Sequence, residues 1–400
     1  APPFPPLFGG LVGELRAMRL SSILWFAIST SCIWYGTWFL ARRHEAQPVE
    51  QAFARQAQYR DFGRLMADAA CWVPDPATLF FISIFGIVVK QHEAVFETAE
   101  LAFSCAAFFG CCWALTRPYW GSALAGFACG ASILCSNLLV GATVLVGCLM
   151  SHILVRGIGD TSRKIFTTIA VAFVTFGLWP LVSYLLAGVV AGDYFNLWAQ
   201  RQIQIVGFFD PQEILWFIKH FIWYLCPVWP FAFWAIWMWR KNLTVTHIAL
   251  PLSFCFAWFV GFMLSSDVAA ETLLSVTIAP LCVLATFGLM ACNRSTKSML
   301  ELFSVAVFTL ALAGVWAYFI AWTLGFPPKM HWSILRLTAD ESVSHAHWVA
   351  VILAAALLAF WLYLCVRRLM RRPIRFWTGP WLSASGITVL WISAVCLFGP

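Results

Sequence analysis

The sequence predicts an all-α polytopic membrane protein, and three observations carry that prediction. Of its 400 residues 62% are hydrophobic and 11% charged, and the mean hydropathy is +0.81, more apolar than a water-soluble domain tolerates. Apolar runs of about 20 residues, enough for a helical crossing, recur along the whole chain. The alternating pattern of a transmembrane β-barrel is absent.

Taken in order, apolar runs fall near 20–40, 76–89, 101–116, 121–155, 165–190, 213–239, 247–266, 270–291, 300–325, 348–366 and 380–398, about eleven crossings. The segment 1–19 is expected to be cytoplasmic and 20–398 a single transmembrane domain. The start, "APPFPPLFGGLVGELRAMRL", lacks the basic, apolar and cleavage regions of a secretory signal, so Leu20–Leu40 reads as a retained span. The run 121–155 is too long for one straight helix and carries Ser136 and Asn137 in its middle. It fits either one broken crossing or two short ones.

Short basic loops set orientation. Arg16 and Arg19 precede the first span and Arg156, Arg163 and Lys164 follow 121–155; after it Arg240 with Lys241, Arg294 with Lys297, and Arg367 to Arg375 fill every second loop, while the alternating loops hold only Arg201 and then Lys329 with Arg336. One broken crossing at 121–155 preserves the alternation. That reading puts the N-terminus in the cytoplasm and makes 41–75, 191–212 and 326–347 outer loops. In the first of these, Phe62, Leu65, Met66, Ala69 and Trp72 recur at helical spacing opposite Arg60, Asp61, Arg64 and Asp68, the pattern of an amphipathic helix on the membrane surface. Pro74 and Pro76 end it.

The 23 Trp and 36 Phe cluster toward span ends, where amphipathic rings suit the headgroups. The net charge of +7 sits in short loops and reads as an orientation signal, with no nucleic-acid partner expected. The 14 Cys lie mostly inside apolar runs without a C-x-x-C pair, as small packing residues do. His345 and His347 have no third defined ligand, so no metal is expected. No phosphate-binding loop, nucleophile elbow or dinucleotide fingerprint occurs.

Within 20–290, a set of weak motifs falls in a familiar order. "RQAQYRDFGRLMADAACWVP" supplies Tyr59, Arg64, Met66, Trp72 and Pro74. "LAGFACGASILCSNLLVG" is rich in small residues. "AFVTFGLWPLVSYLLAG", "YFNLWAQRQI" and "WYLCPVWPF" follow, and then "FMLSSDVAAETLLSVTIAPLCVLATFG". Together these resemble the GT-C membrane glycosyltransferases, family 39 and its aminoarabinose-transferase-like members. The resemblance implies a GT-C-like bundle with an external juxtamembrane helix in a bacterial inner membrane. It also implies transfer of a sugar from a polyprenyl-phosphate donor, with a carboxylate at the acceptor and basic groups on the lipid phosphate.

The departures from the family pattern concern charge. Arg55 and Gln56 stand where the family has an acidic pair, and neither can accept a proton at working pH. Ser136 replaces a basic residue, Ala269 and Ala270 a basic pair, and Thr272 and Val276 a Tyr and a Pro. A second acid that the family carries in extra spans finds no counterpart. If transfer persists, Asp61 or Glu50 is the candidate acid/base and Arg201 with Lys219 the candidate phosphate ligands. If it does not, the chain is a scaffold or accessory subunit among membrane lipids and other membrane proteins. Lys90, His92, Glu93, Glu97 and Glu100 read either as a cytoplasmic turn or as the polar lining of a buried pocket.

Overall fold

A computed structural model describes residues 14–46, 72–91, 97–155, 157–207, 213–265, 267–292, 294–338, 348–370 and 378–398. The helices are α1 (Glu14–Ala41), α2 (Pro74–Ser83), α3 (Phe85–Gln91), α4 (Glu97–Ala114), α5 (Pro118–Cys135), α6 (Leu138–Leu154), α7 (Thr161–Ala187) and α8 (Val189–Ile205). They continue with α9 (Glu213–Tyr224), α10 (Val228–Met238), α11 (Thr246–Met263), α12 (Asp267–Ala291), α13 (Arg294–Leu324), α14 (Pro328–Thr338), α15 (Trp348–Met370) and α16 (Thr378–Phe398). The chain divides into two compact units, 1–291 and 292–400.

The protein is an all-α, multi-pass membrane protein. By length and composition seven described helices can each cross a membrane, or up to eight crossings if a bent pair counts as one, fewer than the eleven expected because several apolar runs are broken. Pro74 and Pro76 open α2, and the chain turns extended at Ile84, so 76–89 is two short helices. The run 213–239 is split by the turn before Val228, and its halves bend by 95°. The second and third outer loops contain helices, α8 and α14.

The segment 121–155 is two helices, and the single broken crossing is corrected here. α5 ends at Cys135, and the Asn137 side chain caps α6 by accepting from Val140 N–H at 2.8 Å. Cys129 Sγ and Cys148 Sγ, 19 residues apart, lie 3.7 Å from each other, whereas a continuous helix would separate them by ~28 Å. α5 and α6 therefore form an antiparallel hairpin.

Small residues let α4, α5 and α7 approach backbone to backbone, the packing that substitutes for hydrophobic driving force in lipid. A Cβ on Gly121 would sit 2.2 Å from Ala114 N, and one on Gly110 2.7 Å from Ala125 N. On the other side of α5, Gly126 and Gly130 face the carbonyls of Thr168 and Ala172 on α7.

Hydrogen bonds gather several chain reversals at one end of this unit. Leu115 O, in the α4/α5 turn, accepts from Arg43 Nη2 at 3.3 Å and from Ile158 N–H, between α6 and α7, at 3.4 Å. Glu45 Oε2 accepts from Thr246 N–H, at the start of α11, at 3.2 Å. This end carries Arg42, Arg43, Arg117, Arg163, Lys164, Arg240 and Lys241, and we call it the basic end. The first long loop also starts and ends here: it leaves after Ala46 and returns at Asp75, which accepts from Trp34 Nε1 in the C-terminal half of α1. The expected alternation, with 41–75 across the membrane from Arg163 and Arg240, is not what the contacts show. Lys164 is buried rather than on a solvated loop. It sits near the C-terminal ends of α4 and α6, where helix dipoles favour a cation.

In the second unit, α13 packs on α15 and α16 through polar pairs. Glu301 receives Arg368 Nε and Nη2 on one oxygen, Ser304 meets the Ser383 hydroxyl at 2.6 Å, and Trp361 Nε1 donates to Thr309 Oγ1 at 3.1 Å.

Candidate functional site

Opposite the basic end, four elements bring polar side chains together. α4 runs antiparallel to α5 with Gly110 beside Ala125 and Ala114 beside Gly121. Continuing that register brings Glu100, in the first turn of α4, level with Cys135 and the Ser136–Asn137 turn. α1 confirms the level, since Trp25 in its N-terminal half packs on Phe103 with ring centroids 5.2 Å apart.

Glu100 is 1% exposed, and its Oε1 accepts from the Ser275 hydroxyl on α12 at 2.6 Å. A buried carboxylate among membrane helices is costly and marks function by default. Ser136 and Thr272, where the resemblance implies a basic residue and a Tyr of the donor site, lie at the same end as Glu100.

α8 closes the cluster from the side. Gln202, itself buried, accepts at Oε1 from Leu138 N–H at 2.7 Å, so together with Asn137 it satisfies the open N–H groups at the start of α6. Its end is pinned to α11, where Gly207 N–H donates to Leu264 O at 3.2 Å and Val206 bridges Ser265. These polar links fasten α8 together with the packing of Trp198 on Phe176 of α7, ring centroids 5.9 Å apart.

Of the residues singled out in the sequence, Arg201 is exposed on α8 beside Gln202, and Lys219 is exposed on α9. Among the described contacts none joins the two. Glu50 and Asp61, the amphipathic helix around Tyr59 and Arg64, and His345 with His347 fall outside the described residues. What is described of the first loop's flanks lies at the basic end, away from Ser136, Thr272 and Glu100. Arg55 and Gln56 likewise fall outside the described residues.

Glu100 was legible only in part. The run "KQHEAVFETAEL" reads as a turn in one dimension, yet Glu97 and Glu100, three residues apart, share one face of the helix that follows. Among the described residues no group of His, Cys, Asp and Glu has the arrangement to hold a metal ion.

Comparison with solved structures finds the same fold. The crystal structure of ArnT from Cupriavidus metallidurans bound to undecaprenyl phosphate superposes with a TM-score of 0.60 and 16% identity, covering 98% of this chain and 65% of that one. The apo form of the same protein gives 0.59 and 15%, with equal coverage. The chain thus spans about two thirds of the length of these neighbours. No family model matches the sequence, and no curated protein does. The architecture is the helical membrane fold of these ArnT structures.

Proposed function

We propose that this chain binds a polyprenyl-phosphate lipid at the polar end of its first unit and transfers a sugar from it, in a bacterial inner membrane, with Glu100 as the acid/base. The observation that carries this reading is the burial of Glu100 on the Ser275 hydroxyl, beside the turn and the helix start that resemble the donor site. A carboxylate there can take the proton of an attacking hydroxyl, and general-base help of this kind contributes roughly 10²–10⁴-fold to rate. Arg201, next to Gln202 on α8, is the cation nearest in sequence to the cluster and is proposed to meet the lipid phosphate. The likeness to a fold that holds undecaprenyl phosphate in its solved structure supports the lipid class.

A second reading has its own observation. Ser136, Ala269, Ala270 and Thr272 remain uncharged where the resemblance calls for cations and a Tyr, which favours a non-catalytic member that serves as a scaffold for other membrane proteins. Arg55 and Gln56, standing where the resemblance implies an acidic pair, add to this reading.

Purified protein incubated with a polyprenyl-phosphate sugar and extracted lipid acceptors separates the readings. Transfer that falls at least about 100-fold in Glu100→Gln, with the melting temperature kept, supports the enzyme. Absence of transfer by the unaltered protein, together with stoichiometric co-purifying membrane proteins, supports the scaffold.

A further inference from the structure

A row of buried polar side chains runs through the first unit from Glu100 toward the basic end. On α4, Glu100, Ser104 and Cys111 follow one another at four and seven residues, on α5 Ser122, Cys129 and Ser132 at seven and three, and on α6 Cys148 and His152 at four, so each set shares one helix face. None of these eight is more than 4% exposed. The α4/α5 register sets Ser104 level with Ser132, and Cys129 comes one turn beyond. Cys148 Sγ then meets Cys129 Sγ at 3.7 Å and the Cys111 thiol. One further turn along α6, His152 Nε2 lies 3.2 Å from Thr168 Oγ1 on α7, which is itself 3.3 Å from Ser122 O. Lys164, buried within electrostatic reach of His152 and Cys111, ends the row with Asp160 beside it. From Glu100 to the α4/α5 turn the helix rise is roughly 20 Å, about two thirds of the ~30 Å apolar thickness of a bilayer.

Packing alone accounts for small side chains at such positions, but not for the state of their hydroxyls. Among the described residues, Ser104, Ser122 and Ser132 are three of the four hydroxyls buried without a hydrogen-bond partner, and the fourth, Ser393, is in the second unit. Other buried hydroxyls donate to a carbonyl one turn back, as those of Thr37 and Thr286 do. An unpaired hydroxyl between helices is costly, and water that pairs with it removes the cost. The three serines stand at the row's gaps: Ser104 and Ser132 between Glu100 and the thiols, Ser122 beside the His152–Thr168 pair. Close α4/α5 packing at Gly110 and Gly121 favours the smallest cargo, a proton.

We propose that this row is a proton relay between Glu100 and the Lys164 end of the bundle, carried by the side chains and by water paired with the three serines. Hydroxyl, thiol, water and neutral imidazole each hold both a donor and an acceptor. A proton leaves the Glu100 carboxylic acid for water on Ser104 and Ser132, which gives one of its own to the Cys129 sulfur as that thiol's proton moves to Cys148. His152 takes a proton on one ring nitrogen and releases the one on the other. At every step one O–H, S–H or N–H bond breaks as the next forms, so one proton enters for each that leaves and no oxidant or reductant is consumed. For the transfer reading the relay gives the Glu100 proton a way out. Conduction itself is a property of the row and needs no sugar.

The test is proton flux into liposomes that carry the purified chain and enclose the pH dye pyranine, driven by a potassium diffusion potential set with valinomycin. Acidification is expected to run several-fold faster than in protein-free liposomes. Cys129→Val, which puts an apolar branch in place of the thiol, is expected to return the rate to the protein-free value. Cys129→Ser should keep it, and Ser393→Ala, the unpaired hydroxyl outside the row, should leave it unchanged. Ser132→Ala removes a single oxygen and is read beside Cys129→Val, with the melting temperature of each, so that a folding defect is not mistaken for a block. A rate no faster than in protein-free liposomes overturns the relay, and so does an undiminished rate in the folded variants. Sugar transfer without proton flux refutes the relay alone, and proton flux without sugar transfer refutes the transfer alone.

Discussion

The two ends of the first unit are built on different principles. At the basic end, backbone meets backbone: Gly121 sits against Ala114, and carbonyl and amide groups of separate reversals bond to one another. At the polar end buried side chains add to the backbone link between Gly207 and Leu264, with Gln202 reaching the start of α6 and Ser275 reaching Glu100. Backbone contact leaves nowhere for a ligand to enter. Side-chain contact can be exchanged for contact with a ligand at the cost of one or two hydrogen bonds, each worth about 1 kcal/mol net. The tight end holds the bundle and the other end is free to do chemistry.

This contrast can be tested from its strongest element to its weakest. Gly121→Leu places a branched side chain where a single Cβ already approaches Ala114 N at 2.2 Å, and α4 and α5 must separate. The expected loss is about 3 kcal/mol or more, seen as a large drop in the detergent melting temperature. An unchanged melt would mean that the two helices are not held backbone to backbone.

Gln202→Ala removes one acceptor from the start of α6 and a fastening of α8. We expect a cost of about 1 kcal/mol, with faster hydrogen exchange in 189–205 and little change near Leu115. Equal effects at both ends would erase the distinction. Smallest of all, Glu45→Gln keeps an oxygen for Thr246 N–H and changes only an exposed charge, so stability should move by no more than about 0.5 kcal/mol. Transfer should stay within about twofold, against the loss expected for Glu100→Gln. A large loss of transfer in Glu45→Gln would place chemistry at the basic end.

Local features of the sequence were a good guide to local structure. Ser136 and Asn137 marked a break, and Pro74 and Pro76, expected to end a surface helix before the next span, open α2. The site was harder to read, because Glu100 takes its meaning from Ser275, far along the chain, and from a register between α4 and α5 that neither helix states alone.

The sequence by itself determined that this is a helical membrane protein, where its helices break, and that its order of motifs matches a GT-C-like fold. Only the tertiary structure decided which loops share an end. Hydropathy is one-dimensional, and every crossing reverses the side of all that follows. Reading 121–155 as one crossing moved Arg163, Lys164 and Arg240 across the membrane from the first long loop. Folding it as a hairpin, with Cys129 and Cys148 in contact, brings them together, and with them the acid and the turn that define the other end.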